Sequence, residues 1–470
     1  MRRLTIGFVH PNLGIGGAER LVVDAALSLQ NLGHKVIIHT LHHDVSHCFA
    51  ETRDGTLQVR TGGNQWFLPR SIFGHMHILC TILRSLALAN QVAGDREQYD
   101  VLFVDQLSAP IPLLRFAQAR IFFYCHFPDY LQAPHAGVWR RMYRLPFDLL
   151  EEFTTREADE IVVNSRFTQE AFQRAFPRIA QAPRVLQPAL NLAAYDQAAD
   201  AQDAGLWGLR TQRPLVASIN RFERKKNVGL AIDALALLHE GRHKDACLVV
   251  AGGWDADVAE NAEHLAELVA HAHAKGLRTR TLAPQGSSAR ARARLPPGAE
   301  PAPLALPAAT GDEMASVDVV FLPSFSANQR AHLLGLARCL VYTPSNEHLG
   351  IVPLEAMYMR VPVVAANSGG PRETVVHAKT GFLCEPTPDA FAEAVAAVLG
   401  MDGARRREMG EAGRARVAKT CALEAFGERL ERLMYAMLER EPHAPVVLGV
   451  VMTAFIVGTV AVVLVGAALV

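Results

Sequence analysis

Short apolar runs recur along this chain, each followed by a segment of helical periodicity, and that alternation restricts the fold to parallel sheets crossed by helices. Residues 4–10 open the pattern as a first strand. A helix is predicted over 18–29, stopped by Gly33, and a second strand over 36–41, together a βαβ unit. Further strands are predicted at 101–105, 121–126 and 161–164, and the same logic repeats at 215–219, 247–251, 319–323, 339–343 and 361–366. At 470 residues the chain has room for two such α/β domains. Pro188, Gly205 and a polar stretch interrupt the periodicity between Pro183 and Pro214. The expected division is a Rossmann-like domain over 1–190, a linker over 191–213 and a second Rossmann-like domain over 214–440, both doubly wound and facing across a cleft. The last helical patterns, 404–417 and 423–437, suit either packing on the second domain or a return over the first.

Apolar residues make up 50% of the chain and the formal net charge is zero, so no nucleic-acid partner is expected. The seven cysteines, Cys48, Cys80, Cys125, Cys247, Cys339, Cys384 and Cys421, lack metal-ligand spacing, and reduced thiols facing the cytosol are expected. Residues 4–10 pass at once into a glycine loop, so no cleavable signal is expected. Residues 446–470 carry no charge and are dominated by Val, Ala, Leu and Ile. About 25 residues at ~1.5 Å each exceed a hydrocarbon core of ~30 Å, which predicts a C-terminal transmembrane helix. Arg429, Arg432 and Arg440 on its near flank place the body on the cytosolic side. The stretch 278–307 carries alternating Ala and Arg followed by Pro296, Pro297, Pro301, Pro303 and Pro307, and is expected to be a disordered insert. Residues 73–92 read as an amphipathic helix that either meets lipid or packs into the first domain.

In an open parallel sheet, ligands bind beyond the carboxyl ends of the strands, often at a helix N-terminus. Three segments fall there. His10-Pro-Asn-Leu-Gly-Ile-Gly-Gly-Ala-Glu-Arg joins the first strand to its helix, and Gly14, Gly16 and Gly17 permit close backbone approach. It is not a dinucleotide fingerprint, because Glu19 stands where the third glycine would fall, which disfavours nicotinamide or flavin chemistry. Asn220-Arg221-Phe222-Glu223-Arg224-Lys225-Lys226-Asn227 puts cations before a helix start, where the dipole disfavours them unless an anion is present; Arg221 and Lys226 are therefore candidates for a diphosphate. Glu347 and Glu355 bracket Gly350 in Ser-Asn-Glu-His-Leu-Gly-Ile-Val-Pro-Leu-Glu-Ala-Met, between a predicted strand and a helix over 353–359, and place two carboxylates at one crevice. His126 and Asp105 end two first-domain strands, where each is either a ligand group or a local structural partner.

These strings, with Val-Val-Asn-Ser-Arg-Phe-Thr from Val162 and Asn-Ser-Gly-Gly-Pro-Arg-Glu from Asn367, resemble the family-4 glycosyltransferases of GT-B fold. Within that family they look like the eukaryotic dolichol-pathway alpha-1,3/alpha-1,6-mannosyltransferases. The resemblance implies a retaining transfer of mannose from GDP-mannose to a mannosylated chitobiose on dolichyl diphosphate, at the cytosolic face of the endoplasmic reticulum membrane. It implies no required cofactor or metal, and other glycosyltransferases of that pathway as partners. It also implies residue roles: Arg221 and Lys226 on the diphosphate, Glu347 on mannose hydroxyls, Glu355 on the ribose, and the backbone of Gly350, Ile351 and Val352 on the sugar. Gly16 and Gly17 would lie against the diphosphate, and His126 would face the mannose. A different nucleotide-sugar enzyme, or a non-catalytic scaffold on the same fold, is the alternative.

Overall fold

The computed structural model describes residues 2–45, 48–62, 77–132, 138–196, 213–283, 288–301, 316–442 and 458. The chain forms two compact units, Met1–Ala189 with Leu423–Val470, and Leu190–Ala422.

In the first unit β1 (Thr5–Val9), β2 (Lys35–Thr40), β3 (Gln58–Thr61), β4 (Val101–Asp105), β5 (Arg120–Cys125), β6 (Glu160–Val163) and β7 (Arg184–Val185) form one sheet. Its order is β3-β2-β1-β4-β5-β6-β7, and every pairing is parallel. The central strands are apolar except at their ends because both faces are covered; Val101–Asp105 is buried at every position. The chain leaves β1 in one direction toward β2 and later returns to pair β4 on the other side, so the order reverses between β1 and β4. Such a reversal leaves a crevice beyond the strand ends.

In the second unit β8 (Leu215–Ile219), β9 (Cys247–Gly252), β10 (Thr279–Ala283), β11 (Glu300–Pro301), β12 (Val319–Pro323), β13 (Cys339–Tyr342), β14 (Val363–Ala366) and β15 (Gly381–Cys384) run in the order β11-β10-β12-β9-β8-β13-β14-β15. All are parallel, and the reversal falls between β8 and β13, where Cys339 pairs with Val216. Each unit is thus an open doubly wound sheet.

Two expectations change here. The helix Leu423–Leu438 belongs to the first unit, so that a second domain over 214–440 is too long at its end. Phe426, Leu430, Met434 and Met437 are buried among Leu4, Ile6, Leu21 and Leu29, and Gly427 sits so close to Ser28 that a Cβ would come within 2.7 Å of the serine's own. The preceding helix, Gly403–Cys421, stays with the second unit, where Gly410 lies against the Arg360 carbonyl. The stretch 278–307 is also not uniformly disordered: Thr279–Ala283 is a strand paired with β12, and Ala289–Arg292 is a short helix capped by Ser288. Arg278 anchors the strand through Nε and Nη2, 2.9 and 3.0 Å from the Asp318 carboxylate. Residues 284–287 and 302–307 lie outside the described residues.

The transmembrane helix expected over 446–470 lies outside the described residues, apart from Gly458; among the described residues no helix is long and apolar enough to cross a membrane. The part of 73–92 that is described forms the helix His77–Ala93, whose Leu88, Ala89 and Val92 join the core of the first sheet, which favours packing over lipid contact. All seven cysteines are free, and all but Cys384 are buried.

Candidate active site

In the second unit, the loops after β8 and β13 meet at the reversal point. After Ile219 the chain passes Asn220 and Arg221, makes one tight turn over Arg224–Lys226, and ends it at Asn227 in the left-handed region, φ 50°. Thr343, just beyond β13, donates its hydroxyl to the Lys226 carbonyl at 2.8 Å, tying the turn to the neighbouring strand end. The Lys226 ammonium then lies 2.6 Å from Glu347 Oε2, with the two side chains 15% and 22% exposed. Two motifs far apart in the chain therefore meet as one charge pair.

Backbone packing holds both halves of this pair. A Cβ on Gly252, the last residue of β9, would fall 1.6 Å from the Asn220 carbonyl oxygen, so only glycine lets β9 pass beneath the cationic loop. On the other side Gly370 donates its N–H to the Glu347 carbonyl at 2.7 Å, and a Cβ there would come within 2.3 Å of Leu349 Cα. The glycines of the string from Asn367 thus seat the carboxylate loop.

Gly350, at φ 81°, opens the helix Ile351–Tyr358. The first N–H groups of a helix have no intrahelical acceptor, which leaves those of Ile351 and Val352 available to an oxygen-rich ligand. Glu355 is buried on this helix, and its Oε1 accepts from Arg330 Nη1 at 2.7 Å. Arg221 differs from Lys226: its side chain is 68% exposed and its Nε lies 3.2 Å from Glu223, so it stands in solvent beside the turn.

In the first unit the strand ends bring together His126, Asp105 and a residue the sequence reading passed over, His10. His10 Nδ1 is 2.7 Å from Asp105 Oδ1, and His126 Nε2 is 3.1 Å from Asp105 Oδ2. His10 and Asp105 are buried, whereas the His126 side chain is 27% exposed. Gly16 is extended, φ −169°, and its α-carbon faces the Glu19 carboxylate; a Cβ at Gly17 would meet nothing within 4 Å. The chain's own packing therefore does not require a glycine at 17. His10 was within reach of the argument applied to Asp105 and His126, since it too follows a strand directly. Arg330, by contrast, carries no local signal, because its partner is fixed only by the fold. Among the described residues no group of three or more His, Cys, Asp or Glu side chains is placed to hold a metal.

Burial disfavours a charged His10, but the Asp105 carboxylate, and Glu19 behind it, outweigh that cost and raise its pKa from 6.5 to about 10. Burial likewise disfavours an Asp105 anion, and His10 and His126 together more than offset it, so its pKa is lowered. Between pH 6.5 and 10 the folded chain therefore holds a proton that the unfolded chain releases. The stability this contributes is full below 6.5 and is lost as pH rises through 10. The difference in melting temperature between wild type and His10→Asn is expected to shrink across that window; a constant difference would contradict the assignment.

Known proteins resemble this chain in sequence and in fold. The family described as Glycosyltransferase Family 4 matches residues 15–193, and Glycosyl transferases group 1 matches 203–292 and 310–416, leaving 293–309 unmatched. The chain is 45% identical over 453 residues to the alpha-1,3/1,6-mannosyltransferase ALG2 of Rhizomucor pusillus, covering 94% of this chain and 93% of that protein. The human protein of the same name is 42% identical over 443 residues, covering 92% and 95%. Among solved structures, a sucrose-phosphate synthase from Thermosynechococcus elongatus aligns with a TM-score of 0.66 at 20% identity, over 93% of this chain and 99% of that one. A glycosyltransferase from Rickettsia africae aligns with 0.67 at 15%, over 94% and 100%. The solved structures share the GT-B fold, and the relatives, nearly full-length at this identity, place the chain in the ALG2 family of alpha-1,3/1,6-mannosyltransferases, which are glycosyltransferases.

Proposed function

We propose that this glycosyltransferase is a retaining enzyme that moves mannose from GDP-mannose onto Man-GlcNAc2-diphosphodolichol, adding the alpha-1,3 and alpha-1,6 mannoses of lipid-linked oligosaccharide assembly for N-glycosylation. The observation that carries the chemistry is the contact between Lys226 and Glu347 at the β8/β13 reversal point. A cation and a carboxylate held side by side suit the two sides of the bond that breaks, the diphosphate that leaves and the hydroxyl-bearing sugar that is transferred. As that bond breaks, negative charge grows on the diphosphate, and a fixed ammonium stabilises it more in the transition state than in the ground state.

In this reading Lys226 and Arg221 hold the diphosphate, with no metal ion assigned, and the exposed Arg221 swings onto the phosphates when the donor arrives. Glu347 and the N–H groups of Ile351 and Val352 beyond Gly350 hold mannose, and Glu355 holds the ribose. Gly16, Gly17 and His126 are assigned to the reacting end of the substrates. A donor competition tests the nucleotide and sugar: GDP-mannose alone is expected to support transfer, and an equal rate from UDP-glucose would overturn the assignment.

The acceptor's polyprenyl chain requires the body to work at a bilayer, and the proposal places the chain in the endoplasmic reticulum membrane with its body on the cytosolic side, anchored by 446–470. The helix Val138–Arg156 supports a second contact with lipid. Val138, Met142, Leu145 and Leu149 share one face of it and are 72%, 59%, 56% and 43% exposed, an apolar stripe that water does not favour. Met142→Asp with Leu145→Asp is expected to raise KM for a long-chain lipid acceptor about tenfold, a loss of ~1.4 kcal/mol, while sparing a short-chain, water-soluble one. An equal change for both acceptors would refute the bilayer contact.

A further inference from the structure

His10 and Asp105 follow or end adjacent parallel strands, Val9 pairing with Val104 in register, and His126 lies just past the end of the next strand, β5. The result is a row of three side chains along one edge of the sheet, graded from wholly buried to partly open. Asp105 has both oxygens engaged, Oδ1 by His10 and Oδ2 by His126. A carboxylate can only accept, so an ionised Asp105 requires a proton on Nδ1 of His10 and on Nε2 of His126. That leaves Nδ1 of His126 as the ring atom free of Asp105. The backbone of His126 is held as well, its carbonyl accepting from Asn164 Nδ2 at 3.0 Å, and its ring meets the edge of Tyr124 with centroids 5.0 Å apart.

A buried carboxylate without a compensating partner would be costly. Among the described residues no Arg or Lys lies within ion-pair distance of Asp105; the nearer histidine fills that role. His10 is 0% exposed, donates from one ring nitrogen to Asp105, and has its other ring nitrogen 3.9 Å from the Glu19 carboxylate that lies under Gly16. It reaches no solvent and so cannot itself touch a substrate. Its influence must pass through its neighbours.

We propose that His10 is a positioning residue, which clamps Asp105 and through it fixes the ring orientation and tautomer of His126 for the sugar-transfer step. This rests on the reading of His126 as a substrate-facing group. Glu19, itself only partly buried, brings the glycine loop up to His10 at the inner end of the row.

A double-mutant cycle on the full chain tests the proposal, with kcat and KM for GDP-mannose measured for wild type, His10→Ala, His126→Ala and the double variant. His10→Ala is expected to lower kcat about 10–100-fold with KM changed less than about threefold, and to cost nothing further in the His126→Ala background. Asn at position 10 keeps a donor where Nδ1 stood, so His10→Asn is expected to recover at least about half of the lost kcat on a logarithmic scale. If His10→Ala does not fold, the cycle is run with His10→Asn. Undiminished kcat in folded His10→Ala, or a full additional loss from either His10 variant in the His126→Ala background, would overturn the proposal. Wild-type kcat in His126→Ala alone would instead sink the reading of His126 on which it rests.

Discussion

Lys226→Ala is expected to lower kcat for mannose transfer about 10²–10³-fold, the loss typical of removing one preorganised group from a developing negative charge. The side chain is preorganised: Thr343 fixes its carbonyl, the left-handed Asn227 fixes the turn, and Glu347 holds the ammonium at 2.6 Å. No reorganisation is then needed as the diphosphate gains charge, so the effect should fall on kcat more than on KM. The fold should survive, because Glu347 is 22% exposed and water can reach the carboxylate left behind. A folded Lys226→Ala protein with kcat within about threefold of wild type would remove the ammonium from the mechanism.

Gly252→Ala is expected to damage both stability and catalysis. Its Cβ would lie 1.6 Å from the Asn220 carbonyl oxygen and 2.4 Å from the carbonyl carbon, contacts that no side-chain rotation relieves. Either β9 or the Asn220–Arg221 backbone must shift, and overpacking of that severity costs about 3 kcal/mol or more. The same shift would drag the start of the diphosphate loop, so the molecules that do fold should also be slow. Gly17→Ala is the contrast: nothing lies within 4 Å of its Cβ, and its unfolding midpoint in urea should stay near that of wild type. Equal midpoints for Gly252→Ala and wild type would contradict the packing described for this loop.

The central strands were legible because a parallel strand covered on both faces must be apolar at nearly every position. Leu215–Ile219 and Val319–Pro323 appear where their runs predict them. Edge strands escape that rule: Gln58–Thr61 is mostly polar and only partly buried, and Gly381–Cys384, though apolar, is four residues long and largely half-buried, so neither was predicted. Leu423–Leu438 has an apolar face that either unit could cover, and its partner is decided by Ser28 and the close approach at Gly427. The apolar face of Val138–Arg156 was hidden in a similar way, since Pro146 inside the helix reads as a break.

Lys226 and Glu347 were each legible from a local motif, but their contact spans 121 positions and depends on β8 and β13 being neighbours. Strand order is not written in either motif. Arg330 against Glu355 has the same character. His10 differs, because its place at a strand end was visible; what the sequence could not display was that Asp105 would be shared between it and His126.

The measurement closest to the central claim is transfer of labelled mannose from GDP-mannose to a synthetic monomannosyl-chitobiosyl-diphosphate-lipid by the detergent-purified full chain, with linkage analysis of the product. Two added mannoses, one alpha-1,3 and one alpha-1,6, are predicted. Binding of GDP-mannose with no transfer to this acceptor would contradict the account.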